Sequence, residues 1–334
     1  IRMAGDPLCP GVARLPGGWN VERLLLPAKP FGSADAESGV ERKGRHEMTI
    51  TTYPDGHSIQ QGTPEELARF VKDKIYNQDC VIGMKSIPDE SVDLTVTSPP
   101  YDTLRNYNGR LHWSFEKFQE VACELYRVTK TGGVVVWIVG DETRRGSESG
   151  SSFRQALWFM QCGFLLHDTM IWKKISPFQQ KNRYIQSFEY MLVFSKNRPP
   201  KTANLICDRK NRWGGTAVHG SARQPDGTTR PLSTKQKSKK IKEYGARYNV
   251  WDMPGNKNNK TGHPAVFPLQ LACDHIVTWS NEGDVILDPF MGSGTTAIAA
   301  IKTNRHYIGY EVVPEYYQIC INRTEKQYDW EERE

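Results

Sequence analysis

Apolar positions along this chain recur with two different periods. Residues 134–139 form a continuous run, Val-Val-Val-Trp-Ile-Val, which predicts a strand buried on both faces. Shorter β-rich stretches at 92–96, 164–172, 190–194, 284–287 and 306–310 predict further strands. Between them, Phe115, Phe118, Val121, Ala122, Leu125 and Val128 recur at helical spacing, and Gly132-Gly133 is expected to end that helix. Helices are also predicted over 153–162, 266–279 and 295–302, and from Pro314 onward. Nearer the start, Thr63 as N-cap, Pro64 at the first helical position and Glu65-Glu66 in the first turn open a helix that Leu67, Phe70, Val71 and Lys74 continue. A short helix after Asn77-Gln78-Asp79-Cys80 should reach Ile87. Strands alternating with helices predict an α/β fold, a mostly parallel twisted sheet with helices on both faces. Ligands in such sheets bind beyond the carboxyl ends of the strands.

Composition narrows this picture. The chain has 334 residues, 38% hydrophobic and 25% charged, enough to bury a sizeable core. Its longest apolar run is the six residues 134–139, against the roughly 20 that a membrane helix needs, so a spanning protein is not expected. Cys9, Cys80, Cys123, Cys162, Cys207, Cys273 and Cys320 stand singly, which argues against a structural zinc site or a disulfide framework and points to the cytoplasm. Residues 1–47 carry Pro7, Pro10, Pro16, Pro27 and Pro30, nearly balanced charge and no sustained period, and are read as a dispensable, disordered or vector-derived extension.

The charge is concentrated. The formal net charge is +6, yet residues 196–247 hold 14 Lys and Arg against 3 Asp and Glu, a net of +11 that leaves −5 for the rest. A solvated, partly disordered insertion and a phosphate-contacting surface are both compatible with that stretch. On the second reading Lys235, Lys237, Lys239 and Lys240 are the contacts.

Two strands end in chemically unusual turns. After residues 285–287 comes Asp288-Pro289-Phe290-Met291-Gly292-Ser293-Gly294-Thr295-Thr296, where two glycines allow a tight turn and close approach of a ligand to a helix N-terminus. Glu311 closes the next strand, 17 residues after Gly294, where an acid can accept hydrogen bonds from ribose hydroxyls. Alone, this pattern fits a plain strand-to-helix turn or any of several nucleotide-like cofactors, but not a P-loop, since no Gly-Lys-Ser/Thr follows. Replacing Gly294 with Val is expected to abolish cofactor binding in a folded protein. The other turn is Thr97-Ser98-Pro99-Pro100-Tyr101. Its two prolines fix φ and lack N–H donors, so a hydroxyl, an outward carbonyl and an aromatic ring suited to a flat, amine-bearing ligand sit in one rigid turn.

The pair of turns resembles the amino-methylating DNA methyltransferases, in the β-class order with the catalytic turn before the cofactor loop and a basic region between. The resemblance spans residues 75–328. It implies a Rossmann-like S-adenosylmethionine-dependent methyltransferase fold with a catalytic half at 63–195, a basic target-recognition region at 196–260 and a cofactor-binding half at 261–328. It implies that Ser98, Pro99, Pro100 and Tyr101 are catalytic, that Asp288, Pro289, Phe290, Gly292, Ser293, Gly294, Thr295, Thr296 and Glu311 hold S-adenosyl-L-methionine, and that no metal is needed. Asp79 resembles the family acid that meets the cofactor adenine, although it could equally cap a helix. His263 lies in a segment similar to the one near the cofactor's methionine end. The family's first catalytic residue is Asp in most adenine-N6 enzymes and Ser in most cytosine-N4 enzymes, so Ser98 implies cytosine N4, with adenine N6 as the alternative. Double-stranded DNA is the implied partner, with room for a homodimer and for a cognate restriction endonuclease in a bacterial, archaeal or phage setting. A nicotinamide-dependent oxidoreductase would share the glycine turn but leave Ser98–Tyr101 and the basic segment without a role. A non-catalytic DNA-binding relative would have no need of an intact Ser98-Pro99-Pro100-Tyr101.

Overall fold

A computed structural model of the chain describes residues 50–52, 58–60, 71–100, 113–174, 181–255 and 266–331. Eight strands form one sheet: β1 (Lys74–Tyr76), β2 (Val92–Thr97), β3 (Thr129–Val139), β4 (Phe164–Lys173), β5 (Phe188–Lys196), β6 (Val250–Asp252), β7 (Val285–Asp288) and β8 (His306–Tyr310), in the spatial order β6-β4-β5-β3-β2-β7-β8-β1. Within it β5 runs antiparallel to β3 and β4, and the other neighbours are parallel. Among the described residues six helices accompany the sheet: α1 (Cys80–Met84), α2 (Phe115–Val128), α3 (Ser151–Gln161), α4 (Leu269–Trp279), α5 (Thr295–Lys302) and α6 (Pro314–Glu331).

The alternation of side chains along β3 builds both cores. Val135, Trp137 and Val139 face one way, onto Met84 of α1, Phe118 and Leu125 of α2 and Phe159 of α3. Val134, Val136 and Ile138 face the other way, onto Leu271 and Ile276 of α4, Ala297 and Ile301 of α5 and Cys320 of α6. A period-2 strand with apolar residues on both faces has to be covered on both, which is why its run is continuous in the sequence. Helix α2 starts where Ser114 Oγ accepts from the Lys117 N–H at 3.2 Å. It buries the apolar stripe Phe118, Val121, Ala122, Leu125 and Val128.

Three expectations need correcting. Lys74 does not continue a helix but opens edge strand β1, because Asp73 sits at φ 59° and gives its N–H to the Tyr307 carbonyl at 2.7 Å. The helix expected to reach Ile87 stops at Met84, where α1 ends. Strand β3 begins at Thr129, directly after α2 and five residues ahead of the apolar run; Gly132 at φ 78° and a register shift between Val92 and Leu94 absorb the irregularity. The Thr63–Phe70 helix start lies outside the described residues. Among the described residues, Cys80, Cys162, Cys207, Cys273 and Cys320 are free.

The order of the strands locates the ligand edge. β2 and β7 are sheet neighbours although nearly 200 residues separate them, with Leu94 opposite Ile286 and Thr95 opposite Leu287. From β2 the chain continues to β3 on one side, and from β7 to β8 on the other. This divergence makes a switch point at the carboxyl ends of β2 and β7, where open α/β sheets bind ligands. The basic stretch is organised rather than featureless. Arg209–Lys210 pairs with Tyr244–Gly245, Ser221–Arg223 pairs with Thr229–Pro231, and a capped turn of helix spans Thr234–Lys237. Among the described residues no helix is long and apolar enough to cross a membrane.

Candidate active site

The two unusual turns meet at that switch point. β2 ends in Thr97, followed by half-buried Ser98 and buried Pro99 and Pro100. β7 ends in Asp288, whose side chain is 2% exposed. Asp288 Oδ1 accepts from the Thr97 hydroxyl at 2.6 Å and from the Phe290 N–H at 3.0 Å, and its Oδ2 accepts from the Thr296 hydroxyl at 2.7 Å. Burial pushes the Asp288 carboxyl up to about 6, while the hydroxyls of Thr97 and Thr296 pull it back toward the ionised form. Tyr101 lies outside the described residues.

The glycine turn forms a cradle at the head of α5. Gly292 and Gly294 sit at φ 53° and 84°, in the left-handed region that favours glycine. A Cβ on Gly294 would stand 2.6 Å from Cys320 Sγ on α6, so this glycine lets the turn pack closely on that helix. Gly294 is the N-cap of α5 and offers no side chain to its first N–H groups. The Thr295 hydroxyl beside them is buried without a hydrogen-bond partner. An uncapped helix start with an orphaned hydroxyl suits the carboxylate of an amino-acid-like ligand. Arg323 of α6 supports the turn from behind, donating to Ser293 Oγ at 2.8 Å and to the Ser293 carbonyl. The Phe290 ring stands edge-on to Trp113 at 5.2 Å and to Trp137 at 6.1 Å, so an aromatic wall flanks the turn.

The acids predicted for cofactor binding lie on neighbouring strand ends. Glu311 follows β8, is 8% exposed, and accepts from the Gly292 N–H and the Val313 N–H, each at 2.8 Å. Burial pushes its carboxyl up to about 7, opposed by those two N–H groups. Asp79 follows β1, and its side chain caps α1 through Val81 N–H (2.9 Å) and Ile82 N–H (3.2 Å) and pairs with Lys117 at 3.0 Å. The helix-cap alternative is therefore what its contacts are. Asn77 ties the ends of β1 and β8 together by donating to the Glu311 carbonyl at 2.8 Å. Asp79, Glu311 and the glycine turn thus follow the three adjacent strands β1, β8 and β7, a span matching an extended nucleoside-like ligand.

Lys235, Lys237, Lys239 and Lys240 are exposed in the basic segment and have no part in this cradle. His263 lies outside the described residues, and Trp137, Trp158 and Trp172 are core. In the sequence Thr97 opens the proline turn without a role of its own, and Trp113 and Arg323 stand in no motif. Only the spatial neighbourhood reveals them.

A burial-based prediction follows for Glu311. Its folded-state value of about 7 exceeds that of an exposed glutamate, so the folded chain binds the extra proton between roughly pH 4.5 and 7 and loses stability as pH rises through that window. The melting temperature of Glu311→Gln should fall less steeply over this range than that of the wild type; parallel curves would show that Glu311 is not the group responsible.

The DNA methylase family profile matches residues 92–322, more than half of the chain. The chain belongs to the N6/N4 DNA methylase family. Over 248 residues this methylase is 55% identical to the orphan methyltransferase M.BamHII of Bacillus amyloliquefaciens, covering 72% of the chain and 91% of that relative. Its fold is similar to that of the DNA modification methylase TTHA0409 from Thermus thermophilus, solved in complex with S-adenosyl-L-methionine, with a TM-score of 0.50 and 26% identity over 76% of this chain and 93% of the other. The PvuII DNA methyltransferase, described as cytosine-N4-specific, superposes with a TM-score of 0.57 at 23% identity, over 78% of this chain and 91% of its own, a likeness of fold.

Proposed function

We propose that this DNA methylase transfers a methyl group from S-adenosylmethionine to the exocyclic N4 amine of a cytosine flipped out of duplex DNA. The observation that supports the reading is the junction of the Ser98 turn with the glycine turn through the bond from the Thr97 hydroxyl to Asp288. When bound, S-adenosylmethionine supplies a methyl group already activated on a positively charged sulfur. The orphaned Thr295 hydroxyl and the open N–H groups of α5 are suited to its carboxylate, and Glu311 and Asp79 to its nucleoside end. These residues fit the cofactor.

The cytosine amine is a weak nucleophile because its lone pair is delocalised into the ring. Acceptors for both N–H bonds, Ser98 Oγ and the Pro99 carbonyl, hold the nitrogen nearer to tetrahedral and free its lone pair. Pro100 fixes the turn that presents them, and Tyr101 stacks on the base, a contact worth roughly 1–3 kcal/mol. Flipping the base costs a few kcal/mol, which backbone contacts must offset. After transfer the nitrogen carries a positive charge, and one N–H proton leaves past Ser98 to solvent. Adenine N6 is the second reading, since the family includes both amines. Mass spectrometry of nucleosides from DNA incubated with enzyme and cofactor separates the two. N4-methylcytosine is expected; N6-methyladenine would overturn the base assignment, and neither product would overturn the activity.

The basic segment supplies the phosphate contacts in this reading. Each phosphate neutralised contributes about 0.9 to the slope of log affinity against log salt. Replacing Lys235, Lys237, Lys239 and Lys240 with Ala should make that slope shallower by up to ~3.6 units while cofactor affinity holds. An unmoved slope would remove this run from the DNA surface.

A further inference from the structure

We propose that Thr97 is a positioning residue for methyl transfer, its hydroxyl locking the Ser98 turn to the cofactor turn through Asp288. The inference rests on the methyltransferase reading above. It starts from the sheet: main-chain pairing between β2 and β7 ends at Thr95 opposite Leu287. Beyond that row the two strands no longer pair with each other, and after Thr97 and Asp288 each breaks into its own turn; these residues stand 191 apart in the chain, so no short covalent tether holds the turns. The side chains of Thr97 and Asp288 continue the pairing where the backbone stops. Thr97 is fully buried, and its hydroxyl donates to Asp288 Oδ1 at 2.6 Å. The other oxygen of Asp288 takes the Thr296 hydroxyl from the first turn of α5, and that hydroxyl also lies 3.2 Å from the Val96 carbonyl of β2. One carboxylate therefore joins the strand that carries the amine-binding group, the loop that follows β7 and the helix that heads the cofactor cradle.

Asp288 was expected among the cofactor contacts. Its enclosure and its three bonds to the protein assign it instead to this brace. In-line transfer depends on the distance between amine and methyl, and a displacement of about 1 Å can cost on the order of 100-fold in rate. A hydrogen bond of this kind acts on kcat rather than on either binding step.

Thr97→Val keeps the shape and removes the hydroxyl, and Thr97→Ser restores it. In the valine variant kcat should fall about 10- to 100-fold, with dissociation constants for S-adenosylmethionine and DNA within about threefold of wild type. The serine variant should recover most of the loss. The pH profile gives a readout that loose packing would not move. The Thr97 hydroxyl favours ionised Asp288, so its removal should shift the acid limb of kcat to higher pH. The titratable and charged groups around Asp288 are Glu311 at the end of β8 and Cys320 and Arg323 on α6, and all remain in the variant. If Thr97→Val does not fold, Asp288→Asn carries the test: kcat should again fall, and the acid limb should vanish. A valine variant with wild-type kcat, a loss of kcat matched by an equal loss of cofactor affinity, an unshifted acid limb, or an asparagine variant that keeps its acid limb would overturn the inference. Failure of the wild-type enzyme to methylate any DNA would instead strike the underlying reading.

Discussion

Ser98→Ala should lower turnover on DNA by about 10²- to 10³-fold, the usual consequence of removing one preorganised polar contact from a reacting group. The reacting group is the exocyclic amine of the base. Its lone pair becomes available only as the nitrogen leaves the plane of the ring, and the contacts that favour that change gain strength toward the transition state. Ser98 offers one such contact from a turn whose next two residues are buried prolines, so its position costs no rearrangement during the reaction. Interactions made mainly in the transition state appear in kcat and not in binding. DNA affinity, carried by phosphate contacts, should therefore stay near wild type in the same variant, as should cofactor affinity. Single-turnover methylation alongside fluorescence anisotropy with labelled duplex checks both halves. A variant that methylates at the wild-type rate would take Ser98 out of the chemistry; one that loses DNA binding in proportion would make it a recognition residue.

Much of the architecture was legible because it rests on local, repetitive signals. The stripe from Phe115 to Val128 announced a helix through its apolar spacing alone, although Gly132-Gly133, read as its end, lie inside the next strand, which opens at Thr129. The run at 134–139 announced a doubly covered strand. What escaped was set by partners distant in sequence. Nothing near Asp73 says that its side chain will accept from the Tyr307 N–H at 3.1 Å and that a strand will open at Lys74. The chain around Thr97 gives no hint of a carboxylate 191 residues away. The basic segment was ambiguous for another reason: its hairpins are too short to leave a period, and a row of lysines looks alike whether or not it is folded. Val250–Asp252, three residues with no pattern of their own, becomes a strand only because β4 presents an edge to it.

Gly294 has a packing role that its place in the glycine turn does not announce. From the sequence alone, Gly294→Val should leave a folded protein that no longer binds cofactor. In the structure the residue holds φ 84°, and a Cβ there would lie 2.6 Å from Cys320 Sγ and 3.5 Å from the Cys320 Cα. Holding an L-residue in the left-handed region costs about 1–2 kcal/mol. Forcing atoms into a filled core costs about 1–3 kcal/mol more. Together these take a large share of the roughly 5–15 kcal/mol that keeps a domain folded. Gly294→Val should therefore lower the melting temperature sharply, and its loss of cofactor binding should follow from displacement of α6 against the turn rather than from a blocked ligand surface. Gly294→Ala with Cys320→Ala separates the two costs, because shortening Cys320 removes the clash and leaves the backbone strain. That double variant should melt above Gly294→Ala alone, despite the small cavity it opens, and should recover part of the cofactor affinity measured by titration calorimetry. If Cys320→Ala brings no recovery in either measurement, the glycine answers to the ligand and not to the helix.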